Sequence, residues 1–168
     1  MRRNATAVVT ALVLGGCASL GLGGLLQPPT FRSADDRGSH LRLLGPSAQM
    51  PLGGVSLRIW SHVTNPNPFG IDLAGLNGDL YLDGSKAATV DLPMGLPLLA
   101  AQDTVIPVDI NVDLSDLPSL ARVIGDAAGG GSIDYRVEGT IGVSSPTLGY
   151  HEFGPSTVVS GTAPVRVF

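Results

Sequence analysis

Cysteine is nearly absent from this sequence: Cys17 is the single one among 168 residues. A chain with one cysteine has no internal disulfide, so its fold must be held without one. Aromatic residues are also few, at 5% of the chain, and Lys86 is the single lysine. Because phosphate contacts need clustered cations, this composition argues against a nucleic-acid-binding protein.

The sequence also has few helix-period arrays of alanine, glutamate, lysine and leucine. It has instead 43% hydrophobic residues with 23 glycines and 13 prolines, a combination of aliphatic runs and frequent turns. Such a composition favours an all-β fold. The length allows one domain of ordinary size.

The first sixteen residues have a basic start followed by a short apolar run. Arg2 and Arg3 precede the stretch Ala5–Leu14, which is far shorter than the ~20 residues that span a bilayer. This arrangement is typical of a secretory signal peptide, which we predict over residues 1–16, with cleavage after Gly16.

The signal runs directly into Leu14-Gly15-Gly16-Cys17. This stretch resembles the lipoprotein box of bacteria, in which an aliphatic residue and two small residues precede the cysteine that is lipidated. The alternative is a buried structural cysteine that happens to follow a signal peptide. The resemblance implies that Cys17 carries the lipid anchor, and that residues 17–29 form a flexible, glycine-rich tether.

The residues after the cysteine bear on location. In the lipoproteins that the box resembles, an aspartate directly after the cysteine favours the inner membrane, whereas this chain has Ala18 and Ser19. The expected location is therefore the periplasmic face of the outer membrane. Without Arg2 and Arg3, eight basic groups face fourteen acidic ones, a net charge of −6. This charge disfavours direct adhesion to anionic lipid, so the expected membrane link is the anchor and not the domain surface.

Apolar and polar residues alternate in several stretches of residues 30–168, as in strands with one buried face. The clearest are 55–64, 76–83 and 105–114. Asp83-Gly84 predicts a hairpin, and Pro107 predicts that its strand lies at a sheet edge. The regular spacing predicts an immunoglobulin or fibronectin type III-like antiparallel β-sandwich of about seven strands. One short helix, at 115–125, is expected late in the domain because its apolar residues recur at helical spacing.

One predicted strand ends in Asn65-Pro66-Asn67-Pro68. Proline removes a main-chain donor and pushes the residue before it into an extended conformation. Asparagine side chains accept hydrogen bonds from main-chain amides two residues on. The motif therefore predicts a corner at which one strand ends and the next one begins, with both asparagines binding main-chain groups.

The same stretch carries a resemblance to a known family. A strand of alternating residues before Asn-Pro-Asn-Pro, then Gly-Ile-Asp-Leu and Leu-Tyr-Leu-Asp-Gly, resembles the late embryogenesis abundant type-2 family, also called the water-stress and hypersensitive-response domain. The matching stretches are 55–68, 69–83, 104–114, 115–125 and 133–168. The resemblance implies a fibronectin-like β-sandwich linked to desiccation and other stress, with no known active site.

No reactive motif emerges from the sequence. Asp109, Asn111 and Asp113 match the first three ligand positions of a calcium-binding loop. The later positions that require glycine and glutamate hold leucines, so we interpret the three residues as the solvent-exposed face of a strand. The histidines His40, His62 and His151 are too scattered for a metal motif. We therefore expect no catalytic residue, metal or cofactor. Trp60, on an outer face, either covers a sheet edge or contacts a partner.

Two functions fit these features. The first is a non-enzymatic, membrane-anchored lipoprotein that protects the cell envelope against desiccation or related stress. The second is an envelope interaction module that binds a protein partner or a hydrophobic ligand such as lipid. In the second case, Trp60 or the apolar stretch 93–99, predicted to be a mobile loop, would make the contact.

Overall fold

The computed structural model describes residues 25–34, 37–48, 50–113, 125 and 129–166. These residues confirm the predicted all-β class. The eight strands are β1 (Thr30–Ser33), β2 (His40–Leu44), β3 (Gly54–Thr64), β4 (Ile71–Leu82), β5 (Ser85–Leu98), β6 (Asp103–Asp113), β7 (Ser132–Ser145) and β8 (Gly149–Arg166). Residues 115–124 of the predicted helix lie outside the described part of the chain.

Alternation places the apolar side chains inside. In β3, Val55, Leu57, Ile59 and Val63 are fully buried. Strand β6 follows the same period, with buried aliphatic residues separated by the exposed residues Pro107, Asp109 and Asn111. All eight strands except β1 contribute to one buried hydrophobic cluster, so the curved sheet encloses a single core.

The strands form one mixed sheet. Their order is β1–β3–β2–β8–β7–β4–β5, and β6 pairs with β3 along its whole length. Strands β1 and β2 share the other edge of β3, since β1 pairs with residues 61–64 and β2 with residues 54–58. Strand β6, which holds Pro107, pairs with no other described strand and therefore lies at an edge, as predicted.

The predicted all-antiparallel sandwich of about seven strands needs correction. Strands β2 and β8 are parallel, with Leu41 opposite Val165 and Arg42 opposite Arg166. The physical reason is the length of β8, which continues without interruption beyond its hairpin with β7 and reaches β2. This pairing joins strands that would otherwise form two separate sheets.

The hairpin predicted at Asp83-Gly84 is confirmed. Leu82 is opposite Ser85, and Asp83 and Gly84 both have positive φ, at 45° and 77°. Two left-handed residues give a turn whose twist matches that of the flanking strands.

The mobile loop predicted at 93–99 was wrong, because the stretch to Leu98 belongs to β5. Leu96 is opposite Leu73, and Leu98 is opposite Ile71. Strand β5 tolerates its prolines because it lies at a sheet edge, where a missing N–H can face away from the ladder.

The folded unit begins earlier than the boundary predicted at Thr30. Leu26 is only 4% exposed and belongs to the core. Gln27, the next residue, is bound through its main chain to Asn67. The end of the predicted tether is therefore part of the domain.

Candidate functional site

Asn65 is fully buried directly after β3. Its Nδ2 donates to the carbonyl oxygens of Phe69 and Leu99, both at 2.9 Å, and lies 3.3 Å from that of Leu98. Its Oδ1 accepts from the main-chain N–H of Asn67 at 3.0 Å, which is an Asx contact, and from Asn67 Nδ2 at 2.9 Å. One side chain thus holds the corner and the end of β5.

Asn67 is equally buried and faces the N-terminal segment. Its Oδ1 accepts from the main-chain N–H of Gln27 at 2.8 Å, and its Nδ2 donates to the carbonyl oxygen of Gln27 at 2.9 Å. Its own carbonyl oxygen accepts from the N–H of Ala101 at 3.1 Å. Pro66 and Pro68 are exposed, so the motif alternates with asparagines inward and prolines outward.

These contacts bring three connecting segments together at one end of the domain. We call this the asparagine end; it comprises these three segments, residues 25–29, 65–70 and 99–102, together with the adjoining turn 146–148, which lines a cleft beside them. Every buried polar side-chain atom in the described part of the chain has a hydrogen-bond partner. The asparagine motif is therefore a structural site that fixes how the N-terminal segment enters the domain.

The sequence did not indicate the contact of Asn67 with Gln27. Gln27 takes part through its main-chain N–H and carbonyl groups, so no side-chain type at that position signals the contact. The available signal was Leu26, because an apolar residue directly before Gln27 indicates that this segment packs against the core.

Trp60 lies on β3 opposite Pro107 of the edge strand β6. The side chain is half-buried, and the guanidinium carbon of Arg37 lies 5.0 Å from the ring centroid. This distance is typical of a cation–π contact. Arg37 is thus an intramolecular partner of the indole that the sequence did not reveal.

Exposed ion pairs join β3 to β6. Arg58 binds Asp109 with both ends of its guanidinium, Nε to Oδ1 at 2.6 Å and Nη2 to Oδ2 at 2.8 Å. Asp103 accepts from Thr64 at 3.1 Å and lies 2.8 Å from His62 Nδ1. The hydrogen bond from Arg58 lowers the pKa of Asp109, and that with His62 lowers the pKa of Asp103. Both shifts therefore arise from surface pairs.

Replacing Arg58 by methionine is expected to raise the pKa of Asp109 toward its ordinary value, because the variant removes the largest cause of its lowering. A lowered carboxyl pKa stabilises the folded state at any pH above the ordinary pKa of aspartate. The wild type therefore loses this contribution to the free energy of unfolding as the pH falls through the pKa of Asp109 in the folded state. Carboxyl NMR titration measures the shift. As a control, Lys86→Met removes the partner of Asp79 and should leave the pKa of Asp109 unchanged. If the pKa of Asp109 does not change in the Arg58 variant either, Arg58 is not the cause of its lowering.

An apolar cleft lies between the two edge strands. It has a volume of about 320 Å³ and is lined by Leu92, Pro93, Met94, Leu96, Ile106, Pro107, Val108 and Asp109. Strands β5 and β6 stand at opposite ends of the sheet order, so the cleft is where the curved sheet remains open.

Within the described ranges, no three histidine, cysteine, aspartate or glutamate side chains are placed to share a metal ion. Asp109 and Asn111 are exposed on β6, and Asp109 is engaged by Arg58. Cys17 and the cleavage site at Gly16 lie outside the described residues. No helix among the described residues has the length and apolar character needed to cross a bilayer.

Residues 61–158 match the model of the late embryogenesis abundant protein family LEA_2, which is more than half of the chain. The chain belongs to this family. The matched range starts within β3, includes the asparagine motif and extends into β8. A comparison with curated proteins found no similar sequence.

Two solved structures resemble this late embryogenesis abundant protein. A solution structure from Arabidopsis thaliana has a TM-score of 0.53 at 19% identity, covering 85% of this chain and 81% of its own. A second solution structure, of a protein assigned to the late embryogenesis abundant group, has a TM-score of 0.51 at 20% identity. The match covers 84% of this chain and 74% of that chain. At these identities the likeness concerns the fold.

Proposed function

We propose that this late embryogenesis abundant protein is a non-enzymatic, lipid-anchored protein that protects the cell envelope during desiccation or related stress. The observation that carries the proposal is the family match over residues 61–158. The geometry agrees with it, because the buried asparagines form hydrogen bonds within the fold itself. The ion pairs Arg32–Asp103, Arg58–Asp109, Lys86–Asp79 and Arg136–Glu138 lie on the surface.

Two features support the proposed anchor: the sequence of the first seventeen residues and the position at which the folded domain begins. Cleavage after Gly16 and acylation of Cys17 would leave nine residues from the lipid to Leu26, which packs in the core. A fully extended chain of that length spans about 30 Å. The anchor would thus keep the domain close to its membrane, at the periplasmic face of the outer membrane.

The acidic surface suggests how protection would work. With a net charge of −6 after signal removal, the domain is strongly hydrated and repels copies of itself. Held beside the membrane, such a domain would separate neighbouring proteins and retain water at their surfaces as the envelope dries.

A drying experiment tests protection directly. A labile soluble enzyme is dried and rehydrated with the chain from Ala18 onward, and its recovered activity is compared with that obtained with an equal mass of albumin. We expect recovery to exceed the albumin control. Equal or lower recovery would contradict the protective role.

A specific observation favours a second function. The apolar cleft between β5 and β6, with a volume of about 320 Å³, has a size that suits part of a hydrophobic ligand such as a lipid chain. Native mass spectrometry distinguishes the two functions: a stoichiometric lipid that stays with the chain from Ala18 onward would favour the interaction module.

A further inference from the structure

We infer that the asparagine end is the face that rests on the lipid bilayer. The inference builds on the proposed lipid anchor and adds an orientation to it, with a set of side chains that contact lipid. Three observations carry it: the distribution of exposed apolar residues, the entry point of the N-terminal segment, and the charge of the domain.

Exposed large apolar side chains are concentrated at this end. Among the described residues, four large hydrophobic side chains are exposed: Leu25 at 63%, Leu52 at 68%, Leu99 at 70% and Tyr150 at 56%. Leu25 and Leu99 belong to segments bound by the two buried asparagines. Tyr150 is opposite Ser144, which is opposite Asp72 at the start of β4, so it lies at the same end.

The surface around these residues is apolar as well. A shallow cleft of about 350 Å³ is lined by residues of the corner, the end of β5 and the turn after β7, including Phe69, Leu98 and Pro146. Leucine side chains exposed beside a cleft of this kind can enter the boundary between headgroups and acyl chains, where tyrosine is also favoured.

The chain enters the domain at this same end. Asn67 holds Gln27 by both of its main-chain groups, which fixes the point from which the preceding residues leave. The opposite end, where Leu52 precedes β3, is about 33 Å away, since the eleven residues of β3 are separated by ten steps that rise about 3.3 Å each. A lipid at Cys17 therefore pulls the asparagine end toward the bilayer and leaves Leu52 remote.

Charge selects the type of lipid surface. The net charge of −6 opposes binding to anionic headgroups, and Asp72 and Glu152 are exposed at this end. Arg32, a cation near this end, is 71% exposed and pairs with Asp103. The occupant that fits is therefore an uncharged or zwitterionic bilayer that receives the leucine side chains.

Two matched cysteine variants test the orientation. Because Cys17 is the single cysteine and is acylated in the anchored protein, Leu99→Cys and Leu52→Cys each supply one free thiol for a fluorescent label. The full-length chain is expressed with its signal, purified from membranes and reconstituted into phosphatidylcholine vesicles that contain a nitroxide-bearing phospholipid. We expect lipid quenching to be severalfold stronger at position 99 than at position 52, and quenching by aqueous iodide to show the reverse.

The outcomes separate the anchor from the orientation. If mass spectrometry shows Cys17 unacylated, both the proposed anchor and the orientation are wrong. If Cys17 is acylated but the label at position 99 is quenched no more than the label at position 52, the orientation alone is wrong. A label at position 99 that is shielded from iodide without lipid quenching would indicate a protein partner or a second copy at this end, which also overturns the inference.

Discussion

Replacement of Asn65 by alanine is expected to lower the free energy of unfolding by about 4 kcal/mol, because buried polar groups left without partners cost about 1–3 kcal/mol each. The variant removes the donor for the carbonyl oxygens of Phe69 and Leu99 and the acceptor for the amide of Asn67. All of these contacts lie at the asparagine end, where Asn65 has no exposed surface. Urea unfolding measures the change, and the melting temperature should fall by about 10 °C.

Two further variants separate hydrogen bonding from size. Asn65→Asp keeps the shape of the side chain but turns an oxygen toward the three carbonyl oxygens, so we expect it to destabilise at least as much as alanine. Asn111→Ala, on the exposed face of β6, should change stability by no more than about 0.5 kcal/mol. Equal effects of the Asn65 and Asn111 alanine variants would refute the structural role of the buried motif.

Replacement of Gly78 by alanine is expected to destabilise the domain by at least about 3 kcal/mol, since overpacking that displaces main chain has a cost of this order. Gly78 on β4 is directly opposite Gly139 on β7. A Cβ at Gly78 would overlap the carbonyl oxygen of Glu138 and the Cα of Gly139, and a Cβ at Gly139 would overlap the main chain of β4 in the same way. Because main-chain atoms cannot rotate away, the two strands would have to separate.

Gly45→Ala is the matched control for this pair. A Cβ at Gly45 meets nothing within 4 Å, and its φ does not lie in the left-handed region, so we expect an effect below about 0.5 kcal/mol. Chemical denaturation compares the two variants, and hydrogen exchange at β4 and β7 shows where pairing is lost. A Gly78 variant as stable as the Gly45 variant would show that the strands adjust without cost.

The strands of this protein could be predicted from sequence because their signal is local. In β3 and β6, each buried aliphatic side chain is followed by a side chain on the other face, so the pattern needs no knowledge of the partner strand. The hairpin at Asp83-Gly84 is local for the same reason, since two residues determine the turn.

What lay beyond prediction depends on residues far apart in the chain. Asn65 binds Leu99, which lies 34 residues away, and Asn67 binds Gln27, which lies 40 residues away. The Asx contact between Asn65 and Asn67 follows from sequence, but the partners that make the motif important for the fold do not. Likewise, the proline-containing stretch 93–99 was predicted to be a loop, because nothing in its own sequence indicates that it pairs with β4.

The parallel contact of β2 with β8 has a consequence for the order in which the molecule can assemble. Leu41 and Val165, neighbours in the middle of the sheet, are separated by nearly the whole domain in sequence. A ribosome releases Leu41 long before Val165, so strands β2 and β8 can pair only after Val165 has emerged. Contacts so distant in sequence also slow folding, because the chain entropy of closing a long loop is lost before the contacts can form.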